Sequence, residues 1–285
     1  MASEGLQGHR ARKRFGQNFL HDRHWIERIA KAVNATEGDD IVEIGPGQAA
    51  LTRELIAGAG KVRAVEIDRD LAAWLKETFP ESLSLIEADA LTLDWTQVAK
   101  NDNLRVVGNL PYNISSPLLF KLLEAADHVK DQHFMLQKEV VDRMVAQHGS
   151  KTYGRLSVML QWRYRMQKLF DVPPGAFNPP PKVMSSVVRM IPKAKEEVPS
   201  VDFELFSSVV ANAFSQRRKT IRNALSALLS AEEIAACDVD PGTRAEAVSY
   251  THLRAEALPL DAFVRLAQKA EALGRQAVTP GTTVD

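Results

Sequence analysis

Cysteine is almost absent: the 285 residues hold only Cys237, so no internal disulfide can form and no cysteine pair exists for a zinc ribbon or a redox motif. That usage suits a reducing compartment. A chain of this length can bury a large apolar core by itself, so no metal is expected to hold it together. Long apolar runs are absent as well. No stretch approaches the roughly 20 apolar residues of a membrane span, and the opening "MASEGLQGHRARKRFGQNFL" lacks an apolar core of signal-peptide length. The expectation is a soluble, cytoplasmic protein with no membrane partner. Net charge is absent too, 36 Lys and Arg against 36 Asp and Glu, a sum that argues against a polyphosphate partner. No repeat of solenoid period is visible. The one local repetition is "RAEA" at 244–247 and again at 254–257, enclosing "VSYTHL", as a short duplication or insertion would leave it.

The zero sum hides a strong asymmetry along the chain. Acids far outnumber bases from Glu37 to Asp94. Three segments reverse the sign: Arg10, Arg12, Lys13 and Arg14; then Lys151, Arg155, Arg163, Arg165, Lys168, Lys182, Arg189, Lys193 and Lys195 against only Asp171; then "SQRRKTIRN", with Arg217, Arg218, Lys219 and Arg222. Gathered on one face they would make the patch that a nucleic-acid backbone needs; kept apart they are three solvated surfaces.

Short apolar runs at 40–45, 61–68, 83–89 and 104–109 alternate with helix-like segments at 48–59, 69–78 and 115–126, the pattern of βαβ units and a parallel sheet. A further strand at 131–140 runs into a helix that continues through Met144, "YGRLSVMLQW" (153–162) reads as helix, and "SSVVRMIP" (185–192) as strand. The charged, proline-bearing "KAKEEVPS" (193–200) reads as a linker. Beyond it the periodicity is helical, at 202–214, 218–229, 230–236 with Ser230 as N-cap, and 259–273. The fold class is therefore α/β with a small C-terminal all-helical domain. Boundaries fall at 1–195 for the sheet domain with its basic arm and 200–273 for the helices, with 274–285 expected to be a disordered tail.

"EIGPGQAA" (43–50) leaves a strand through Gly45 and Gly47 and enters a helix, where glycines let the backbone approach a nucleotide and the helix start offers unpaired amides. Glu66, about 20 residues on at the end of the next strand, can take ribose hydroxyls. NAD and S-adenosylmethionine are served equally by these residues, and a tight turn with a surface acid remains the structural alternative. Asp89 ends the third strand, where it could accept from an adenine amino group. The fourth strand delivers "NLPY", which separates the two cofactors. Methyl transfer to an exocyclic adenine amine is difficult because the lone pair is delocalised into the ring. Acceptors on the amine hydrogens stabilise the cationic nitrogen that develops. The Asn109 side-chain oxygen and the Leu110 carbonyl are two such acceptors, Pro111 fixes the turn, and Tyr112 offers a stacking face to an extruded base, worth roughly 1–3 kcal/mol. Hydride transfer has no use for this set; the structural alternative is an Asx-Pro turn with a core tyrosine.

Seven segments in order, "RKRFGQNFL" (12–20), "EIGPG" (43–47), "NLPYNIS" (109–115), "FMLQKEVVDRM" (134–144), "YGRLSV" (153–158), "AFNPPPKV" (176–183) and "QRRKTIRN" (216–223), resemble the bacterial small-subunit ribosomal RNA adenine dimethyltransferases across nearly the whole chain. The resemblance implies a class I, Rossmann-like methyltransferase that moves methyl groups from S-adenosylmethionine to N6 of two adjacent adenosines near the 3′ end of small-subunit rRNA, during ribosome assembly. It implies a monomer acting on that rRNA or on the immature 30S particle, with no metal. By motif, Asn18, Leu20, Gly45, Gly47, Glu66, Asp89 and Asn109 line the cofactor site. Asn109, Leu110, Tyr112 and Phe177 act on the target base, Phe177 facing Tyr112 across it. Arg12, Lys13, Arg14, Arg155, Lys182, Arg217, Arg218, Lys219 and Arg222 contact RNA. Met184 stands where the family has an acidic residue. Two rivals stay open: a large-subunit rRNA methyltransferase of the resistance type, and an RNA-binding assembly factor for which methylation is incidental.

Overall fold

The computed structural model describes Leu6 and residues 16–99, 101–215, 219–243 and 258–280. Arg12, Lys13, Arg14, Arg217, Arg218 and the "RAEA" segment lie outside the described residues.

The first strand, β1 (Phe19–Leu20), leads into α1 (Arg23–Val33), which Asp22 caps by accepting from the His24 N–H. The spacing of Ile26, Ile29 and Val33 buries one face of α1 against the sheet. There follow β2 (Ile41–Ile44), α2 (Ala50–Ala59), β3 (Val62–Glu66), α3 (Arg69–Thr78), β4 (Leu83–Glu87), α4 (Trp95–Val98), β5 (Leu104–Asn109), α5 (Ser115–Leu122), β6 (Val129–Gln137) and α6 (Lys138–Met144). Then come α7 (Arg155–Arg163), β7 (Tyr164–Val172), β8 (Phe177–Asn178), β9 (Ser185–Pro192), α8 (Phe203–Ser215), α9 (Ile221–Ala224), α10 (Ala231–Ala235) and α11 (Leu260–Ala272).

Seven strands form one sheet in the order β4-β3-β2-β5-β6-β9-β7. Neighbours from β4 to β6 run parallel, and β9 is antiparallel to both β6 and β7. All four residues of β2 are buried, as a central strand covered on both faces must be. The chain order reverses between β2 and β5, the switch point at which open α/β sheets bind ligands beyond their carboxyl strand ends. A separate two-stranded ribbon pairs β1 with β8, Phe19 opposite Asn178 and Leu20 opposite Phe177. Neither that ribbon nor β7 was legible as a strand, since two-residue strands carry no period and the alternation in "YRMQKLFDV" is weak.

Two compact units emerge: Met1–Val141 with Tyr164–Pro192, and Asp142–Arg163 with Lys193–Asp285. A single cut near residue 195 therefore misassigns α7. Its aromatic residues explain why: the Trp162 ring lies 5.6 Å from Phe203 and 5.4 Å from Phe206, all within the helical unit. The expected disorder after residue 273 is also corrected for the described part. Val278 donates from its N–H to Ser208 Oγ at 2.9 Å and accepts at its carbonyl from Asn212 Nδ2 at 3.0 Å, which satisfies two buried polar side chains of α8. The expected helix at 218–229 contracts to α9, because the Ile221 and Arg222 N–H groups donate to the Thr243 and Pro241 carbonyls. Ser230 does cap α10, in a reciprocal box with Glu233.

Candidate active site

A cavity of about 320 Å³ opens at the carboxyl ends of β2, β3, β4 and β5, inside the sheet unit. Gly45 leaves β2 at φ +67° and its N–H donates to the Val65 carbonyl at 2.9 Å. Gly47 follows at φ +54°, and the Phe19 ring lies 3.0 Å from where a Cβ would stand. Any side chain here would both strain the backbone and displace that ring. Glu66, 5% exposed, accepts from the Gly47 N–H at 3.2 Å and the Asp68 N–H at 2.9 Å. Burial raises its carboxyl above the ordinary range despite those two amides. Asp89 borders the cavity at the end of β4, its Oδ1 accepting from the Leu91 N–H.

Beyond β5, Asn109, Leu110, Pro111 and Tyr112 all line the same cavity. The Leu110 N–H donates to the Met135 carbonyl at 3.1 Å, which holds the turn against β6. Asn109 Nδ2 donates to the Asn18 carbonyl at 3.0 Å. That bond fixes the polarity of the amide: the donor end is spent on the arm at 16–20, so Oδ1 is the end turned away from it. The arm is tied at other points as well. Gln17 Nε2 donates to Asp68 Oδ2 at 3.1 Å, and Gly16 packs on Asn113 and Pro111. Asn18 and Leu20 line the cavity as expected.

Phe177 departs from expectation. It is 3% exposed, paired to Leu20 through β8, and it packs into the apolar cluster with Leu20 and Ile26 rather than bordering the cavity. The ribbon pairing turns the ring into a dry core, where burying it is worth more than leaving it at a wet mouth. Among the RNA-contact candidates that are described, Lys182 is exposed in the sheet unit, and Arg155, Lys219 and Arg222 are exposed in the helical unit. Met184 is exposed, and its carbonyl accepts from the Lys138 N–H.

Glu43 went unrecognised as a site residue. It sits in β2 at 3% exposure, borders the cavity, and its Oε2 meets no hydrogen-bond donor among the described residues. Its signal was a carboxylate inside a strand otherwise apolar on both faces. Burial, aided by the charge of Glu66, pushes its carboxyl up to about 7 from 4.5. The native state thus keeps a proton that the unfolded chain releases. The stability Glu43 contributes is full below pH 4.5 and is lost as pH rises to about 7. Glu43→Gln, which cannot ionise, is expected to raise the Tm of the cofactor-free protein at pH 8, by at most about 3 kcal/mol in stability, with most of that gain gone at pH 5. Thermal melts at the two pH values check this, and an equal gain at both would refute it.

Residues 8–258 match the ribosomal RNA adenine dimethylase family. The chain belongs to that family. Among its relatives, a protein of Thiobacillus denitrificans named ribosomal RNA small subunit methyltransferase A is 57% identical over 241 residues, 84% of this chain and 94% of that protein. A Pseudomonas aeruginosa protein of the same name is 51% identical over 275 residues, covering 95% of this chain and 99% of its own length. Of solved structures, a dimethyladenosine transferase from Plasmodium falciparum superposes with a TM-score of 0.71 at 24% identity, over 91% of this chain and all of that one (100%). A 23S rRNA methyltransferase, ErmE, gives 0.64 at 25% identity over 89% of this chain and 100% of its own. The fold is that of the class I methyltransferases, as expected, and this class uses S-adenosylmethionine. The cavity suits that group. A sulfonium cofactor carries positive charge, and two buried carboxylates, one with an orphaned oxygen, face the space it would fill. No helix among the described residues is long and apolar enough to cross a membrane, and no cluster of metal-ligating side chains occurs among them.

Proposed function

We propose that this protein dimethylates N6 of two adjacent adenosines near the 3′ end of small-subunit rRNA, acting as a cytoplasmic monomer on immature 30S particles during ribosome biogenesis. The observation that carries the chemistry is the bond from Asn109 Nδ2 to the Asn18 carbonyl, which commits Oδ1 to the role of acceptor at the end of β5. The small-subunit target is supported by relatives of more than half identity that carry that name.

The cofactor supplies a methyl group on a positively charged sulfur. The protein's residues do the rest. Gly45 and Gly47 would let the backbone approach it, Glu66 and Asp89 would take the hydroxyls of its ribose and the amine of its adenine, and Asn18 and Leu20 would lie over its methionine end. At the target amine, Asn109 Oδ1 and the Leu110 carbonyl accept the two N–H hydrogens and stabilise the positive nitrogen as the methyl arrives. The new ammonium then loses its proton to solvent, so no side-chain base is needed. Tyr112 stacks on the flipped base. With Phe177 in the core, Tyr112 is the aromatic face that the turn offers.

Transfer of labelled methyl groups from S-adenosylmethionine to immature small subunits and to intact large subunits, followed by nucleoside mapping, tests the reading. Dimethyladenosine confined to the small subunit is expected, and label on the large subunit instead would overturn it. Lys219 and Arg222 are exposed on the helical unit and stand as phosphate contacts. Replacing both with alanine is expected to weaken RNA binding and lower the slope of log affinity against log salt by roughly 2. An unchanged slope would remove them from the interface.

A further inference from the structure

Tyr112 is fixed at both ends. Its backbone belongs to the turn after β5, where its carbonyl accepts from the buried Ser115 Oγ at 3.0 Å. Its phenol oxygen lies 2.7 Å from the Oγ of Ser185, the first residue of β9, which is 1% exposed. Ser185 is itself immobile, since β9 pairs Ser185 with Gln137 of β6 on one side and with Val172 of β7 on the other. A tyrosine held only at its backbone can swing between staggered χ1 wells. One tied at the far oxygen as well has both ends of its long axis fixed, which sets χ1 and the place the ring occupies beside the cavity. Burial raises the phenol above its ordinary range, against the opposing pull of the Ser185 hydrogen bond. Neither the turn motif nor the cofactor residues require a hydroxyl at position 185.

We infer that Ser185 is a positioning residue for methyl transfer: its hydroxyl holds the far end of the Tyr112 ring in place, so that the flipped adenine stacks with its amine at Asn109 and Leu110. The inference rests on the adenine-methylating function proposed above. A ring free to swing about χ1 can still stack on a base, but a base that follows it is carried away from the two acceptors. Loss of the tether therefore acts on the reacting geometry more than on affinity.

Ser185→Ala and Tyr112→Phe each remove one half of the tether and keep the ring. Each is expected to lower kcat for transfer to immature small subunits about 10-fold, with KM for RNA within about twofold. The double variant should lose no more than either single one, because the two hydroxyls act through one bond. A short RNA carrying 2-aminopurine at the target position gives a readout apart from turnover. Its fluorescence, quenched by stacking, is expected to rise in both variants at saturating protein. Full kcat with unchanged quenching in Tyr112→Phe, or additive losses in the double variant, would overturn the inference, as would equal losses in RNA affinity. Tyr112→Phe decides the matter even where Ser185→Ala fails to fold. If the unaltered protein itself transfers no methyl to small subunits, the proposed function falls and this inference with it; normal transfer by the unaltered protein and both variants overturns this inference alone.

Discussion

Asn109→Ala is expected to lower kcat for methyl transfer by roughly two to three orders of magnitude, the loss seen when one preorganised partner of a developing charge is removed. The expectation follows from the bond between Asn109 Nδ2 and the Asn18 carbonyl, which orients the other end of the amide as acceptor. RNA affinity should change little, because phosphate contacts and stacking do not involve the amide. Cofactor affinity should fall, since the same substitution releases the arm at 16–20 from β5. Asn109→Asp separates these two roles. It restores an acceptor and so part of kcat, but it sets a carboxylate oxygen against the Asn18 carbonyl and should weaken cofactor binding further than alanine does. Single-turnover rates at saturating cofactor, with calorimetric titration of S-adenosylmethionine, measure both. Equal losses of RNA affinity and rate in Asn109→Ala would sink the assignment, as would an aspartate no faster than alanine.

The parallel core was legible because its strands are short apolar runs closed by turn residues and spaced by amphipathic helices. The helix expected at 69–78 and the strand expected at 185–192 coincide with α3 and β9. Gly45, Gly47, Glu66, Asp89, Asn109, Leu110 and Tyr112 meet at one cavity because each stands at or just past a strand end, so local pattern and topology carried the same information. What stayed hidden depends on contacts between residues far apart in the chain. The β1–β8 ribbon joins residues 19–20 to 177–178, and no window of sequence contains both halves. That pairing takes Phe177 from the cavity to the core. Ser185 likewise owes its place to a partner 73 residues away in the chain. The allocation of α7 to the helical unit rests on Trp162 meeting Phe203 and Phe206, beyond a strand that belongs to the other unit.

Arg105 gathers buried charge in the sheet unit that the sequence pattern did not announce, and Arg105→Met is expected to destabilise that unit by about 3–5 kcal/mol, a drop in Tm of roughly 10 °C. The side chain is 5% exposed. Its guanidinium meets Asp131 through Nε and Nη2 at 3.0 Å each, Asp39 through Nη1 at 2.7 Å, and the Val33 carbonyl at the end of α1 at 2.6 Å. Replacement by a pair-free apolar residue takes the guanidinium from buried Asp131 and leaves, among the described residues, only His133 beside it, which costs more than the pair itself contributes. The sign with pH follows from the carboxylates. Burial alone would raise both, but in Asp131 the neighbouring His133 and the guanidinium outweigh it, and in Asp39 the Thr36 amide, Arg105 and Lys130 do, holding Asp39 down to about 2. Groups lowered in this way contribute stability that is present above the unfolded pKa of 3.8 and is lost as pH falls through the folded value. The deficit of Arg105→Met should accordingly be full at pH 7 and be lost as pH falls from about 4 to about 2, where the paired carboxylates of the unaltered protein take up protons and their contribution disappears. Paired melts of the two proteins across that range measure it. A deficit that does not vary with pH would mean that lost packing of the side chain, and not stranded charge, accounts for the effect. Because Arg105, Val107 and Asn109 alternate onto one face of β5, the same bonds also anchor the strand whose far end presents the acceptor amide. Methyl transfer by the variant should therefore fail at the temperature where the sheet unit melts, without an earlier loss of rate.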